Sequence, residues 1–242
     1  MSFMTAGLRD ILFLDIETVA HTKDFDALDE RLKTQWSRKA SYLKRDTDQT
    51  DEDLYQERAG IYAEFGKIVC IAVGKFAQNE NGEPLLKTKV YGGHDEKAML
   101  NEFKVMLERL DPATAKLCAH NGKEFDFPYL CRRMLVNQVT LPPLLNIASK
   151  KPWEIPHLDT MEMWKFGDFK HYTSLDLLSA IFNIPSSKDG LDGSRVNHTY
   201  HHENDLEKIK AYCQRDVVVL AHLYLKLKCI ALPGELIVQQ AP

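Results

Sequence analysis

The chain has 242 residues, 44% hydrophobic and 27% charged, which excludes extended disorder and supplies enough apolar surface for a sizeable core. Lys plus Arg number 31 against 35 Asp plus Glu, a formal charge of −4 that argues against a basic coat for duplex DNA but allows an enzyme that meets a polyanion through metal ions. No run approaches the ~20 apolar residues of a membrane span, and residues 1–7 lack the basic start and apolar core of a secretory signal, so a cytoplasmic protein with no membrane partner is expected.

The run ILFLDIE, Ile11 to Glu17, opens as continuous apolar sequence, the pattern of a strand covered on both faces, and ends abruptly in acids. Segment 21–64 is dense in both charge signs and poor in β-branched residues. It reads as two helical pieces joined around Asp46-Thr47-Asp48 and inserted as an arm, with a solvated helical hairpin favoured over a substrate clamp. Residues 67–76 and 85–91 read as strands joined by a turn at Asn79-Glu80-Asn81-Gly82. In 95–110, Met99, Phe103, Met106, Leu107 and Leu110 fall at helical spacing, and the helix stops at Asp111-Pro112. A short strand over 115–119 leads into His120-Asn121-Gly122, and a helix follows with Phe127, Leu130 and Met134 facing inward. The Pro-rich stretch 141–156 reads as a loop, 156–160 as a short strand, 174–183 as an apolar-faced helix and 205–230 as a long one. Five scattered cysteines (Cys70, Cys118, Cys131, Cys213, Cys229) form no C-x-x-C pair and read as reduced thiols. Three neighbouring strands followed by a strand between helices predict one α/β domain, 1–242, with a mixed sheet flanked by helices.

Three segments could carry chemistry. In Asp15-Ile16-Glu17, residues two apart on a strand project to the same face, and two acids ending an apolar strand resist burial unless a cation lies between them. In Asn121-Gly122-Lys123-Glu124-Phe125-Asp126, the glycine permits a sharp turn and Asp126 falls near a helix start, where an acid suits the helix dipole. Tyr212 and Asp216 are four apart and share a helix face, and Asp216 interrupts an apolar region that includes Val217 to Leu220. A buried acid there needs a partner or a metal. Each segment alone also has a plainer reading: solvated strand-end acids, a helix-terminus acid, and an acid paired with arginine.

In this order, a DIE strand, N-x3-F-D after a later strand and Y-x3-D on a late helix resemble the DEDD superfamily of 3′–5′ exonucleases. Within it they are similar to the tyrosine branch (DEDDy), which includes the proofreading domain of family-B DNA polymerases. The histidine branch carries His five residues before the last acid, where this chain has Ala211. The stretches HLDTMEMWKFGD and SLDLLSAIF are similar to stand-alone bacterial exonucleases related to that domain. The resemblance implies a ribonuclease H-like fold, with a mixed five-stranded sheet, helices on both faces and a helical insertion after the first strand.

It further implies two divalent cations, Mg²⁺ or Mn²⁺, held by Asp15, Glu17, Asp126 and Asp216. Asp15 would bridge the pair, Glu17 and Asp216 would hold the cation that activates water, and Asp126 would hold the second. Tyr212 is assigned to orienting the attacking water, since a phenol with an ordinary pKa of ~10 is a poor base at neutral pH. Thr18, Asn121 and Phe125 are the substrate-binding candidates, Thr18 toward the terminal 3′-hydroxyl. The implied partner is single-stranded nucleic acid with a free 3′ end, DNA favoured over RNA, although no motif reports on a 2′-hydroxyl. Two other classes compete: a catalytically silent nucleic-acid-binding module, and an interaction protein that docks a replication or repair partner through the 21–64 arm.

Weaker candidates lie elsewhere in the chain. His198, His201 and His202 read as an exposed loop before a helix rather than a metal site. Lys188 and Arg195, in a polar loop, read as solvated rather than phosphate-binding. Trp153, Trp164 and Phe166 could stack on splayed bases, with the core favoured for Trp164. Asp159 and Asp176 read as cap or strand-end acids, Asp159 with a place near the metals as its alternative.

Overall fold

The computed structural model describes residues 6–43, 48–168, 172–188 and 190–241. Its centre is β1 (Ile11–Ala20), buried along most of its length as the continuous apolar run requires. β1 pairs antiparallel with β2 (Gly66–Gln78), which turns back into antiparallel β3 (Pro84–Gly92). In that turn the Asn79 side-chain oxygen accepts from the Asn81 and Glu83 N–H groups at 3.0 and 2.9 Å, and Gly82 takes φ +79°. On the other edge of β1 lies β4 (Lys116–Ala119), parallel to it, followed by parallel β5 (Leu158–Asp159).

The sheet has six strands where five were expected, in the order β5-β4-β1-β2-β3-β6. The addition is β6 (Ile237–Gln240), parallel to β3. All four of its residues are exposed, so no alternation of apolar and polar positions marks it in the sequence.

The helices of six residues or more among the described residues are, in chain order, α1 (Glu30–Leu43) and α2 (Asp51–Arg58) in the arm, α3 (Glu96–Leu107), α4 (Asp126–Val136), α5 (Thr160–Lys165), α6 (Leu175–Ile181) and α7 (Leu206–Leu227). Three start just inside the expected ranges because Asp95, Ser174 and Asp205 are caps. Their side chains accept from the N–H groups of Ala98, Leu177 and Lys208 at 2.9, 3.2 and 2.9 Å. Alternation along β1 sorts the two faces: Leu12, Leu14 and Ile16 pack with α3 and α4, whereas Ile11 and Phe13 pack with Cys213, Val217 and Leu220 of α7. No helix among the described residues is long and apolar enough to cross a membrane.

The arm is not the solvated hairpin favoured from its charge pattern. Trp36 and Tyr55 are fully buried in a separate apolar cluster, with rings edge to face at 5.3 Å, and the Trp36 indole donates to the Asp51 carbonyl at 2.8 Å. Six apolar residues spread among the arm's charges, Leu28, Trp36, Ala40, Leu54, Tyr55 and Ala59, close this small core with Ala20 and Phe65. Of the expected junction between the helical pieces, Asp46 and Thr47 lie outside the described residues.

Candidate active site

The pairing of β1 with β4 ends at Phe13 and Cys118, so β1 runs on past its neighbour and carries Asp15 and Glu17 into the gap. Such a crevice at the carboxyl ends of parallel strands is where α/β sheets commonly bind ligands. On its other edge the register with β2 slips between Glu17, opposite Cys70, and Thr18, opposite Ile68. Val69 is the extra residue, and a bulge of this kind re-aims the side chains around it. Asp15 faces α7, where the Cys213 thiol donates to its carboxylate at 3.3 Å. One ligand atom each from Asp15, Glu17 and Cys213 lie within 4.8 Å of one another.

Asp126 reaches the same gap from the turn after β4. Asn121 adopts φ +64°, and a Cβ at Gly122 would stand 2.4 Å from that of Ala119, so the tight turn requires glycine there. Buried Asp159 fastens the turn: its two oxygens accept from the Asn121 and Lys123 N–H groups at 3.0 and 3.1 Å. It also caps α5 through the Met161 N–H at 2.9 Å, so the cap reading was correct, with the turn as a second load. Asp126 opens α4, is 4% exposed, and accepts from its own N–H and that of Ile16 on β1. From α7, Tyr212 and Asp216 are 6% and 7% exposed, and the Tyr212 and Ser187 hydroxyls donate to the Asp216 carboxylate. Arg215 turns its Nε to the Ser187 carbonyl at 2.9 Å.

Electrostatics follow from this crowding. Burial, then the charges of Asp216, Glu17 and Asp126, hold the Asp15 pKa well above the carboxylate range; burial, then Asp216, does the same to Glu17. Asp126 is raised to about 7, chiefly by burial and then by Asp159, against the pull of its two N–H donors. Asp216 is raised by burial, moderated by Ser187 and Tyr212. Tyr212 is pushed far above the phenol range by burial and the surrounding acids, so its hydroxyl keeps its proton and acts as a donor. The buried Cys213 thiol likewise stays protonated.

Asp15, Glu17, Asp126, Tyr212 and Asp216 line one cavity of about 510 Å³, together with Thr18, Asn121 and Phe125. The three sequence segments, up to 201 positions apart, thus meet at one place. The donor set suits hard divalent cations: four crowded carboxylates, three of them buried, resist ionisation without counter-charge, and their oxygens match Mg²⁺ or Mn²⁺. The Asn121 side-chain oxygen is buried in the wall without a hydrogen-bond partner, an acceptor awaiting a donor. The Thr18 hydroxyl is engaged with Tyr129.

Other candidates lie elsewhere. Trp153 and Phe166 are exposed, Trp164 packs on Phe182 with rings 5.8 Å apart, and none of the three lines this cavity. Lys188 lines an adjoining cavity of about 250 Å³ and pairs with Asp176 at 3.3 Å, while Arg195 pairs with Glu203 at 3.3 Å. Of the expected exposed histidine loop, His198 and His202 are exposed, but the backbone is not a loop: Val196–His198 and Thr199–Glu203 are helical turns that bury Thr199 and Tyr200, and His201 bonds the Ala20 carbonyl at 2.9 Å.

Sequence reasoning missed the cavity wall built by the arm, from Gln56, Glu57, Gly60 and Ile61. It also missed Asn197, whose side chain accepts from the Ala20 N–H at 2.9 Å and donates to the Gln56 carbonyl at 3.0 Å, tying the arm to β1. The only signal was the lone Gly60 in a charged helical stretch.

A family described as "Predicted 3'-5' exonuclease related to the exonuclease domain of PolB" matches residues 61–238, a range that leaves β1 outside. Among solved structures, the chain is similar to the family B DNA polymerase from the hyperthermophilic archaeon Pyrobaculum calidifontis, at 15% identity and a TM-score of 0.55. That match covers 90% of this chain but only 24% of the polymerase, and it shows a shared ribonuclease H-like fold. A search of curated proteins returns no match.

Proposed function

Since the chain belongs to the family of predicted 3′–5′ exonucleases related to the exonuclease domain of PolB, we propose that it is a tyrosine-branch (DEDDy) enzyme that hydrolyses the terminal phosphodiester of single-stranded nucleic acid, DNA in preference to RNA. The observation that carries this reading is the meeting of four carboxylates of raised pKa with a protonated tyrosine in one cavity.

Asp15 would bridge two divalent cations, with Glu17 and Asp216 on one and Asp126 on the other. When bound, such cations neutralise the phosphodiester, lower the pKa of the attacking water and take up charge on the leaving oxygen. The remaining work belongs to the chain. Tyr212 holds its proton and donates to Asp216, so it orients groups at the reacting phosphorus rather than removing a proton. The Asn121 side-chain oxygen is free to accept from the substrate, and Phe125 offers an apolar surface to its base. With its hydroxyl engaged, Thr18 would meet the 3′-hydroxyl through its backbone.

The test uses end-labelled oligonucleotides with 3′ extensions, incubated with Mn²⁺, Mg²⁺ or EDTA. Stepwise shortening from the 3′ end that requires a divalent cation, faster on DNA than on matched RNA, is expected. Binding without shortening, or shortening that persists in EDTA, would overturn the proposal.

A further inference from the structure

We infer that Ile61, carried by the arm, is a base-contacting residue that packs with Phe125 against the 3′-terminal nucleotide; this rests on the exonuclease reading. The cavity is dominated by acids, which repel a phosphate unless cations intervene, and its apolar side chains are the surface a neutral base can meet. Ile61 ends the 3₁₀ turn Ala59–Ile61 and is 46% exposed although it sits in the cavity wall, so an apolar face is left open there.

The placement of Ile61 is enforced by a chain of contacts. The Phe125 ring lies 5.3 Å from that of Tyr129, and the Tyr129 hydroxyl donates to the Gly60 carbonyl at 2.8 Å while accepting from Thr18. A Cβ on Gly60 would stand 3.2 Å from the Val19 backbone, so the turn rests directly on β1 just beyond its acids. A Cβ on Gly66 would fall 2.4 Å from the Tyr129 hydroxyl, so the space for this tie is kept by a second glycine. Asn197 holds the preceding helix to the same strand. Ile61 and Phe125 are therefore joined through one tyrosine, and both are fixed relative to Asp15 and Glu17. A side chain held in place before binding loses little entropy on contact. An aliphatic surface packs on any base face without reading its edge, so the contact favours a base over none but does not select among the four.

The experiment compares wild type, Ile61→Ala and Ile61→Leu with Mn²⁺ on two single-stranded oligonucleotides, one intact and one ending in a 3′-terminal abasic nucleotide. On the intact strand, Ile61→Ala is expected to raise KM about fivefold with kcat changed less than about twofold, and Ile61→Leu to restore most of the loss. On the abasic strand, wild type and Ile61→Ala should have the same KM, because the partner of the contact is gone. An equal penalty on both strands would make Ile61 structural, and no penalty on either would remove it from the site; both results overturn the inference while the enzyme remains an exonuclease. If wild type shortens neither strand, the exonuclease reading fails first and this contact with it.

Discussion

Tyr212 and Asp216 form the most informative pair at the residue scale, because the same burial that raises the acid makes the phenol harder to ionise. Tyr212→Phe removes one donor from Asp216 but leaves Ser187, so cleavage should slow about tenfold, the scale of one lost hydrogen bond. Asp15→Ala and Asp216→Ala should bring the rate to background. In EDTA, melting of these two variants should be no lower than wild type, because removing one of several crowded acids relieves repulsion. Equal rate loss for Tyr212→Phe and the acid variants, or a collapsed melt for both acid variants, would assign these residues differently. The residues of this site were legible where chemistry travels with spacing: two positions on a strand, four on a helix, an acid after a glycine turn. Tyr129, Asn197 and Ile61 were not, because each is defined by what it touches across the fold rather than by its neighbours in sequence.

At the scale of elements, the arm depends on a buried ion pair outside the cavity. Glu96 of α3 accepts from Arg133 of α4 at 2.9 and 2.6 Å, from the Ile68 N–H of β2 at 2.8 Å and from Asn137 at 2.8 Å. Arg133 also donates to the Ala63 carbonyl at 2.8 Å, where the arm rejoins the sheet. Arg133→Met leaves a buried carboxylate without its counter-charge, a cost of ~3–5 kcal/mol, and should lower Tm by about 10 °C in a chain of this length. A shift under about 2 °C in a thermal melt would mean that the pair is easily replaced by packing. The elements themselves were largely legible, since buried strands and amphipathic helices announce their period. β6 was not, being short and exposed, and the packing of the arm was not, since Trp36 and Tyr55 lie among charges that read as solvated.

For the whole molecule, placing the acids at the end of β1 makes stability, pH and cation binding one linked equilibrium. The motif order was visible in the sequence, but the crevice was not, since it arises because β1 outruns β4. Asp126 shows the consequence most clearly: an ordinary aspartate titrates at 3.8, and in the fold this one is raised to about 7, chiefly by burial. Between those values the folded state binds more protons than the unfolded one, so stability is lost as pH rises through the window and the loss is complete above it. Buried His157 and half-buried His120 act in the opposite sense because their pKa values are lowered, so a pH scan of wild type alone mixes the two effects. Comparison with Asp126→Asn isolates the acid. In EDTA the variant should gain stability over wild type as pH rises from 5 to 8, levelling above about 7 at a few kcal/mol, with the amide oxygen still able to accept from the Ile16 N–H. Saturating Mn²⁺ should reverse the order at pH 8, because the cation binds the ionised carboxylates and stabilises wild type by mass action. A variant that loses stability with rising pH in EDTA, or a cation shift of equal size in both proteins, would separate Asp126 from the metal-binding acids and leave it a helix-terminus residue.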